Sequence, residues 1–153
     1  MTEAESFYGL QPRWLGLDRF YKVYVTPRLM SAARVAGQAY DPQAVEAMAR
    51  AGYGPAAAMQ KRAEREKMYS TVDPTTKRFL DLDEHNFQLG ASEVAGVTFS
   101  GRKSWWTGGL PNQGVLTIHK SDGSTLRLIL VGDQDIGRIQ VLLKQAGFSL
   151  HSN

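Results

Sequence analysis

The stretch 114–147 constrains the fold of this chain more than any other part of it. Two runs of alternating apolar residues, 114–120 and 124–131, flank the pair Asp122-Gly123. Successive side chains of a strand point to opposite faces, and glycine tolerates the positive φ that a tight turn requires. The pattern therefore predicts an antiparallel hairpin.

The residues after the hairpin are spaced as in an amphipathic helix. Apolar side chains recur at intervals of three and four, at Ile136, Ile139, Leu143 and Ala146. Asp133 is placed to accept hydrogen bonds from the first free amides of such a helix, and Gly147 suits the left-handed conformation that ends one. We therefore expect one face of this helix to be buried and Leu143→Asp to unfold the domain.

Length and composition favour one compact domain spanning 1–153. Of the 153 residues, 42% are hydrophobic, which suffices for a core of its own. The chain contains no cysteine, so a disulfide scaffold and a thiolate metal site are excluded. Segment 1–6 lacks the positive charge and apolar core of a secretory signal, and no apolar run approaches the roughly 20 residues that cross a bilayer. We therefore expect a cytoplasmic protein.

Two further strands and a helical insertion are expected upstream of the hairpin. Residues 19–26 are rich in aromatic and β-branched side chains and predict a strand. Segment 29–37 is expected to return as a second strand, with a helix as the alternative because of its alanines. Segment 41–69 is expected to form two consecutive helices, the second starting at Pro55. Segment 1–18 carries many large apolar groups without a clear period, so we expect it to pack on the domain or on a partner.

Short strands and a loop are expected between the insertion and the hairpin. The sequence predicts a strand at 77–82, brief pairing at 87–89 and a further strand within 92–100. Residues 101–113 are rich in Gly, Lys, Arg and Trp and predict a loop. One helix after a run of antiparallel strands indicates a bent sheet or small barrel that the helix covers.

Short motifs distributed along the chain resemble those of the bacterial PH-like and GRAM-like domains. The motifs are Lys22-Val23-Tyr24-Val25-Thr26 followed by Arg28-Leu29-Met30, Asn86-Phe87 with Ser92-Glu93-Val94, and Gly114-Val115-Leu116-Thr117-Ile118 with Asp122-Gly123. The resemblance implies an α+β fold with a PH-like bent antiparallel sheet or small barrel, a C-terminal capping helix and the insertion 41–69. It also implies a noncatalytic binding scaffold that recruits lipids, peptides or proteins.

One candidate binding surface is the tryptophan loop, residues 101–109. It places Arg102 and Lys103 close to Trp105 and Trp106. Cations beside indole rings can engage anionic headgroups while the rings enter the interfacial layer of a membrane. Alternatively, the rings cover one end of the sheet, because aromatic side chains bury large areas in cores.

A second candidate surface is the basic part of the predicted helix that starts at Pro55. Lys61, Arg62 and Arg65 are its candidate contact residues. They form either a docking surface for an acidic partner or a solvent-facing surface stabilised by charge pairs such as Arg62 with Glu66.

The acidic cluster Asp81, Asp83, Glu84 and His85 is the strongest candidate for chemistry. Carboxylates beside a histidine can hold a metal or transfer protons. Their spacing matches no calcium loop, however, and a solvated turn is the expected structure. No serine has the context of a nucleophile elbow, and no glycine-rich stretch has phosphate-binding spacing.

These patterns together predict a noncatalytic interaction module without cofactor or metal. Its expected partner is a protein, with an anionic membrane surface as the alternative and self-association left open. The net charge of +3 is too small to indicate a specific nucleic-acid partner. A small-ligand-binding or hydrolytic protein, with a site assembled only in three dimensions, is the competing hypothesis.

Overall fold

The computed structural model of the chain describes residues 5–12, 19–36, 55–101, 112–132 and 134–152. The strands are β1 (Glu5–Gln11), β2 (Arg19–Thr26), β3 (Leu29–Ala36), β4 (Phe87–Gly90), β5 (Val94–Ser100), β6 (Asn112–Lys120), β7 (Thr125–Val131) and β8 (Leu150–Ser152). The helices are α1 (Pro55–Ser70), α2 (Lys77–Asp81) and α3 (Ile136–Gln145), and a 3-10 turn, Ala91–Glu93, joins β4 to β5. The expected α+β class is therefore confirmed.

All described strands belong to one sheet, in the order β4-β3-β2-β1-β7-β6-β5-β8. The neighbouring strands are antiparallel except β5 and β8, which run parallel. The sheet is open and ends at β4 and β8. The closed-barrel form of the expected fold is therefore wrong for the described strands, whereas the antiparallel hairpin of β6 and β7 is confirmed.

The N-terminal segment, which shows no period in its sequence, contains the strand β1. It pairs with β2 along its whole length, from Glu5 opposite Val25 to Gln11 opposite Arg19. Both of its faces are apolar, because Phe7 enters one core cluster and Leu10 the other. Burial on both faces removes the alternation of apolar and polar residues by which a strand is normally recognised.

Each face of the sheet carries its own core. On the inner face, Met30, Leu116 and Leu128 pack with Leu143 of α3. On the outer face, residues of the central strands pack with side chains of α1 and α2; they are Phe20, Tyr24, Val35 and Ile129 with Tyr69 and Phe79. The sheet is therefore the middle layer, with α3 on one side and α1 and α2 on the other.

The segment predicted as a strand at 77–82 is instead the helix α2. In six residues, Leu80 and Leu82 fit the alternation of a strand, whereas Phe79 and Leu82 fit the spacing of a helix face. Phe79 is fully buried in the outer core, and the side-chain amide of Asn86 donates to its carbonyl at 2.9 Å. Tertiary packing of Phe79 thus selects the helix.

Helix α3 confirms the prediction made from its apolar spacing, but its N-cap differs from the one expected. The side chain of Asp135 accepts a hydrogen bond from the Arg138 amide at 3.2 Å and is the N-cap, while the expected cap, Asp133, lies outside the described residues. Gly147 adopts φ +100° after the last turn, as predicted. Ile139 and Leu143 are buried in the inner core.

Helix α1 begins at Pro55, as predicted, and extends to Ser70. The other predicted helix of the insertion, before residue 52, lies outside the described residues. Most of the predicted loop 101–113 also lies outside them. None of the helices in the described part of the chain combines the length and the apolar composition needed to span a membrane.

Candidate functional site

The candidate residues of the tryptophan loop, Arg102, Lys103, Trp105 and Trp106, lie outside the described part of the chain. Their assignment to a binding surface or to a core stays a prediction.

Arg62 of α1 stacks on aromatic rings of the sheet. The rings of Tyr8 and Phe20 are parallel within 4°, with centroids 5.5 Å apart. The Cζ atom of Arg62 lies 4.8 Å from the Tyr8 centroid and 4.7 Å from that of Phe20. Its side chain is only 19% exposed. Arg62 therefore attaches α1 to β1 and β2, in a geometry typical of cation–π contacts.

Glu66 completes this attachment on the next turn of α1. The Tyr8 hydroxyl donates to Glu66 Oε1 at 2.5 Å, and Lys22 Nζ and Arg62 Nε each lie 3.8 Å from a Glu66 oxygen. Burial raises the pKa of the Tyr8 phenol, and the Glu66 carboxylate raises it further. The phenol therefore stays protonated and acts as a hydrogen-bond donor to Glu66.

Arg65 is held by Asp83 in a second attachment of α1. Asp83 Oδ2 lies 2.6 Å from Arg65 Nη2 and 3.0 Å from Arg34 Nε, and the His85 amide donates to Oδ1 at 2.8 Å. Burial opposes ionisation of Asp83, but the His85 amide and the two guanidinium groups outweigh it, so the pKa of this carboxyl lies below its ordinary value. Asp83 is thus an ionised anchor between β3 and α1.

The acidic cluster predicted from the sequence does not converge on one point. The Asp83 side chain is 6% exposed, which contradicts the solvated turn expected for it, whereas Glu84 is 85% exposed and lies 3.4 Å from the His85 ring. Asp81 is exposed at the end of α2. Within the described ranges, no group of three or more His, Asp and Glu side chains is arranged to hold a metal ion.

Of the three candidate residues on α1, Lys61 alone is exposed. Arg62 and Arg65 make internal contacts with the sheet and with Asp83. The structure therefore does not bring the three cations together as one solvent-facing patch.

A groove between α3 and β8 carries exposed apolar surface. Its volume is about 840 Å³. It is lined by Gly137, Gln140, Val141 and Lys144 of α3 and by Phe148, Ser149, Leu150 and His151. Val141 is 54% exposed, and Met68, at 38%, is the other exposed large apolar side chain in the described ranges. The groove thus combines an exposed aliphatic group with a shape that can accept a chain segment.

The charge of the groove is positive or neutral along its lining. Lys144 is exposed on α3 and His151 on β8, and the described residues that line the groove include no carboxylate. A Cβ placed on Gly147 would lie 3.3 Å from Arg28 Nη1, so this guanidinium lies close to the C-terminal end of α3. At the opposite end, Asp135 accepts the Arg138 amide as the helix cap. The groove therefore favours acidic groups near the C-terminal end of α3.

The main chain of β8 has polar groups on the side that faces away from β5. The Val97 amide donates to the Ser149 carbonyl at 2.8 Å, and Val97 is opposite Leu150 in the parallel pair. Because alternate residues of a strand direct their amide and carbonyl to opposite sides, those of Leu150 point away from β5. Strand β8 thus supplies a short sheet edge beside α3.

One feature of this groove can be recognised in the sequence. Val141 falls outside the apolar face formed by Ile139 and Leu143, so an exposed aliphatic group on α3 could be inferred from the helical period. The strand β8 has only three residues, and its pairing with β5 depends on where α3 ends. That part of the site had no recognisable sequence pattern.

Comparison of the chain with protein-family models, with curated proteins and with solved structures finds no match.

Proposed function

We propose that the protein is a noncatalytic interaction module with a PH-like scaffold, and that it binds a protein partner in the groove between α3 and β8. The observation that carries the proposal is the exposure of Val141, which lines this groove and is 54% exposed on α3. Exposed aliphatic groups in an open concave surface are typical of protein contacts.

The arrangement of elements supports the PH-like part of the proposal. Strands β1 to β4 are neighbours in chain order, as are β5 to β7, and β1 joins the two runs through β7. A C-terminal helix covers the inner face. This agrees with the bent antiparallel sheet and capping helix that the sequence motifs imply.

The cations of α1 favour a protein partner over an anionic membrane. Arg62 and Arg65 are engaged with aromatic rings and with Asp83, so they are not available together to headgroups. Binding to an anionic surface needs several accessible cations near one plane. The tryptophan loop, with Arg102 and Lys103, remains the candidate for such binding.

Site-specific photo-crosslinking in living cells tests the proposal. Benzoylphenylalanine in place of Gln140, which lines the groove, is expected to give a discrete adduct with a partner protein. The same group in place of Lys67, exposed on α1, serves as the control and is expected to give none. The adduct is expected to disappear when Val141→Asp is combined with the Gln140 label. Equal adducts from both positions, or an adduct that survives Val141→Asp, would contradict the proposal.

Sedimentation with phosphatidylserine vesicles tests the alternative. We expect the wild-type protein to stay in the supernatant. If it pellets, and an Arg102→Ala, Lys103→Ala double variant does not, the binding function belongs to an anionic surface and the tryptophan loop instead.

A further inference from the structure

We infer that the partner binds as an extended segment that adds to the sheet at the outer edge of β8 and carries aliphatic side chains alternating with acidic ones. The inference rests on the proposed function of the groove and specifies the chemistry of its occupant.

The main-chain groups of Leu150 lie at the outer edge of β8. The amide and carbonyl of Leu150 point away from β5, because Ser149 on its N-terminal side bonds Val97. An extended chain laid beside β8 can exchange hydrogen bonds with both groups of Leu150. Strand addition of this kind derives its affinity from main-chain bonds and its specificity from alternate side chains.

Apolar surface lies on the α3 side of that edge. Val141 is exposed, Phe148 is buried beneath the groove and Leu150 is half-buried. A strand that adds to the outer edge of β8 turns alternate side chains toward these residues. Aliphatic side chains at those alternate positions would remove Val141 from water and fill the groove.

The described lining of the groove carries positive charge. Lys144 lies one turn after Val141 on the same flank of α3, His151 follows Leu150, and the Arg28 guanidinium lies near Gly147. Among the lining residues that the structure describes there is no carboxylate. Acidic side chains on the solvent-facing positions of the added strand would therefore complement its rim, whereas basic ones would be repelled.

Fluorescence anisotropy with synthetic peptides tests this occupant. The probe is a labelled peptide of about eight residues that alternates valine with glutamate, long enough for one strand. Its matched control alternates valine with lysine. We expect saturable binding of the acidic peptide to the full chain, and a dissociation constant for the basic peptide at least about tenfold higher.

A backbone-modified peptide separates strand addition from other binding in the groove. N-methylation of alternate residues removes main-chain donors without changing any side chain. We expect the N-methylated acidic peptide to lose at least about tenfold in affinity, since a buried carbonyl is then left without its donor. In an NMR titration with the unmodified peptide, the Leu150 amide is expected to shift and to become protected from hydrogen exchange.

Variants of the protein test where the acidic peptide binds. Lys144→Glu and Val141→Asp are each expected to weaken the acidic peptide by about tenfold, while Lys67→Glu, a charge reversal on the exposed side of α1, leaves it unchanged. Lys144→Glu is also expected to improve binding of the valine–lysine peptide. Melting curves check that each variant is folded.

Three outcomes would overturn the inference: no binding of the acidic peptide, equal binding of the basic one, or equal binding after N-methylation. If any of these occurs while the Gln140 crosslink persists, the groove binds a partner in another form and the proposed function stands. If the crosslink also fails, the proposed function is wrong as well.

Discussion

The side chain of Gln134 connects β1 to β7 by hydrogen bonds. Strands β1 and β7 are paired at Leu10 and Ile129. Nearby, Gln134 Oε1 accepts from the Tyr8 amide at 2.6 Å, and its Nε2 donates to the carbonyls of Tyr8 at 2.8 Å and Val131 at 2.9 Å. A primary amide can make these bonds because it carries both donors and an acceptor, as a peptide group does.

We expect Gln134→Ala to lower the free energy of unfolding by about 1–3 kcal/mol, because half-buried main-chain groups of Tyr8 and Val131 lose their partner. Urea denaturation measures this loss. In hydrogen exchange, the Tyr8 amide is expected to lose protection before the other amides of β1.

Gln113→Ala is the matched control for this prediction. Gln113 Nε2 donates to the Gly132 carbonyl at 3.1 Å in an exposed position, where water can replace it. Its removal is expected to change stability by about 0.5 kcal/mol or less. Equal losses for the two glutamine variants would show that Gln134 does not bridge β1 and β7.

The lowered pKa of Asp83 predicts that the stability of the protein depends on pH. Its folded pKa lies below the ordinary value of about 3.9. The stability it contributes is therefore fully present above that value and is lost as pH falls through the folded pKa. We expect Asp83→Asn to lower the free energy of unfolding at neutral pH by about 1.5–3 kcal/mol, since Arg34 and Arg65 lose their shared anion.

Urea denaturation as a function of pH checks this sign. The difference between Asp83→Asn and the wild type is expected to shrink below about pH 4. Asp81→Asn, at an exposed position two residues earlier, serves as the control. A difference that is the same in acid as at neutral pH would mean that the Asp83 charge is not what stabilises the protein.

At the scale of elements, helix α1 is fastened to the sheet by its charged residues. Arg62 stacks on Tyr8 and Phe20, and Arg65 reaches Asp83. Long cationic side chains can cover apolar surface with their stems while their charge meets rings or carboxylates. The same residues in sequence indicate a solvent-facing or docking surface, because their internal partners come from distant parts of the chain.

We expect Arg62→Ala to lower the free energy of unfolding by about 1–2 kcal/mol, through lost ring stacking and lost burial. Lys61→Ala, one residue away and exposed, is expected to change it by about 0.5 kcal/mol or less. Arg62→Lys is expected to recover only part of the loss because an ammonium lacks the planar group that lies on both rings. Thermal denaturation compares the three variants, and equal effects for positions 61 and 62 would contradict the stacking role.

The elements that could be predicted from the sequence are those whose pattern is local. The β6–β7 hairpin has its Asp-Gly turn, α3 has its apolar spacing, and α1 has Pro55. Strand β1 could not be identified, because Phe7 and Leu10 are buried on opposite faces. Helix α2 was mistaken for a strand because, in so short a segment, Leu80 and Leu82 fit the period of a strand while Phe79 and Leu82 fit that of a helix. The binding groove joins α3 to β8, so it appears only when the chain is folded.

At the scale of the whole molecule, the β2–β3 turn links parts that are far apart in sequence. The Arg28 amide donates to the Ala146 carbonyl at 2.7 Å, and the Arg28 carbonyl accepts from the Ala91 amide at 2.9 Å. The turn thus contacts both the C-terminal end of α3 and the 3-10 turn between β4 and β5. These bonds hold α3 over the inner core, where residues of both runs of strands meet it.

Leu143 tests whether α3 is required for this architecture. It is fully buried and packs in the same cluster as Met30 of β3 and Leu116 of β6. We expect Leu143→Asp to lower the free energy of unfolding by more than about 4 kcal/mol, because a carboxylate would enter a core without a partner. Circular dichroism is expected to show lost cooperative melting.

Val141→Asp, on the exposed flank of the same helix, introduces the same charge two residues away. Val141 is 54% exposed, so we expect its melting temperature to stay close to that of the wild type. This contrast separates the two faces of α3, since one seals the inner core and the other lines the groove. If Leu143→Asp melted cooperatively at the wild-type temperature, α3 would not close the core, and the groove beside β8 would lose its structural basis.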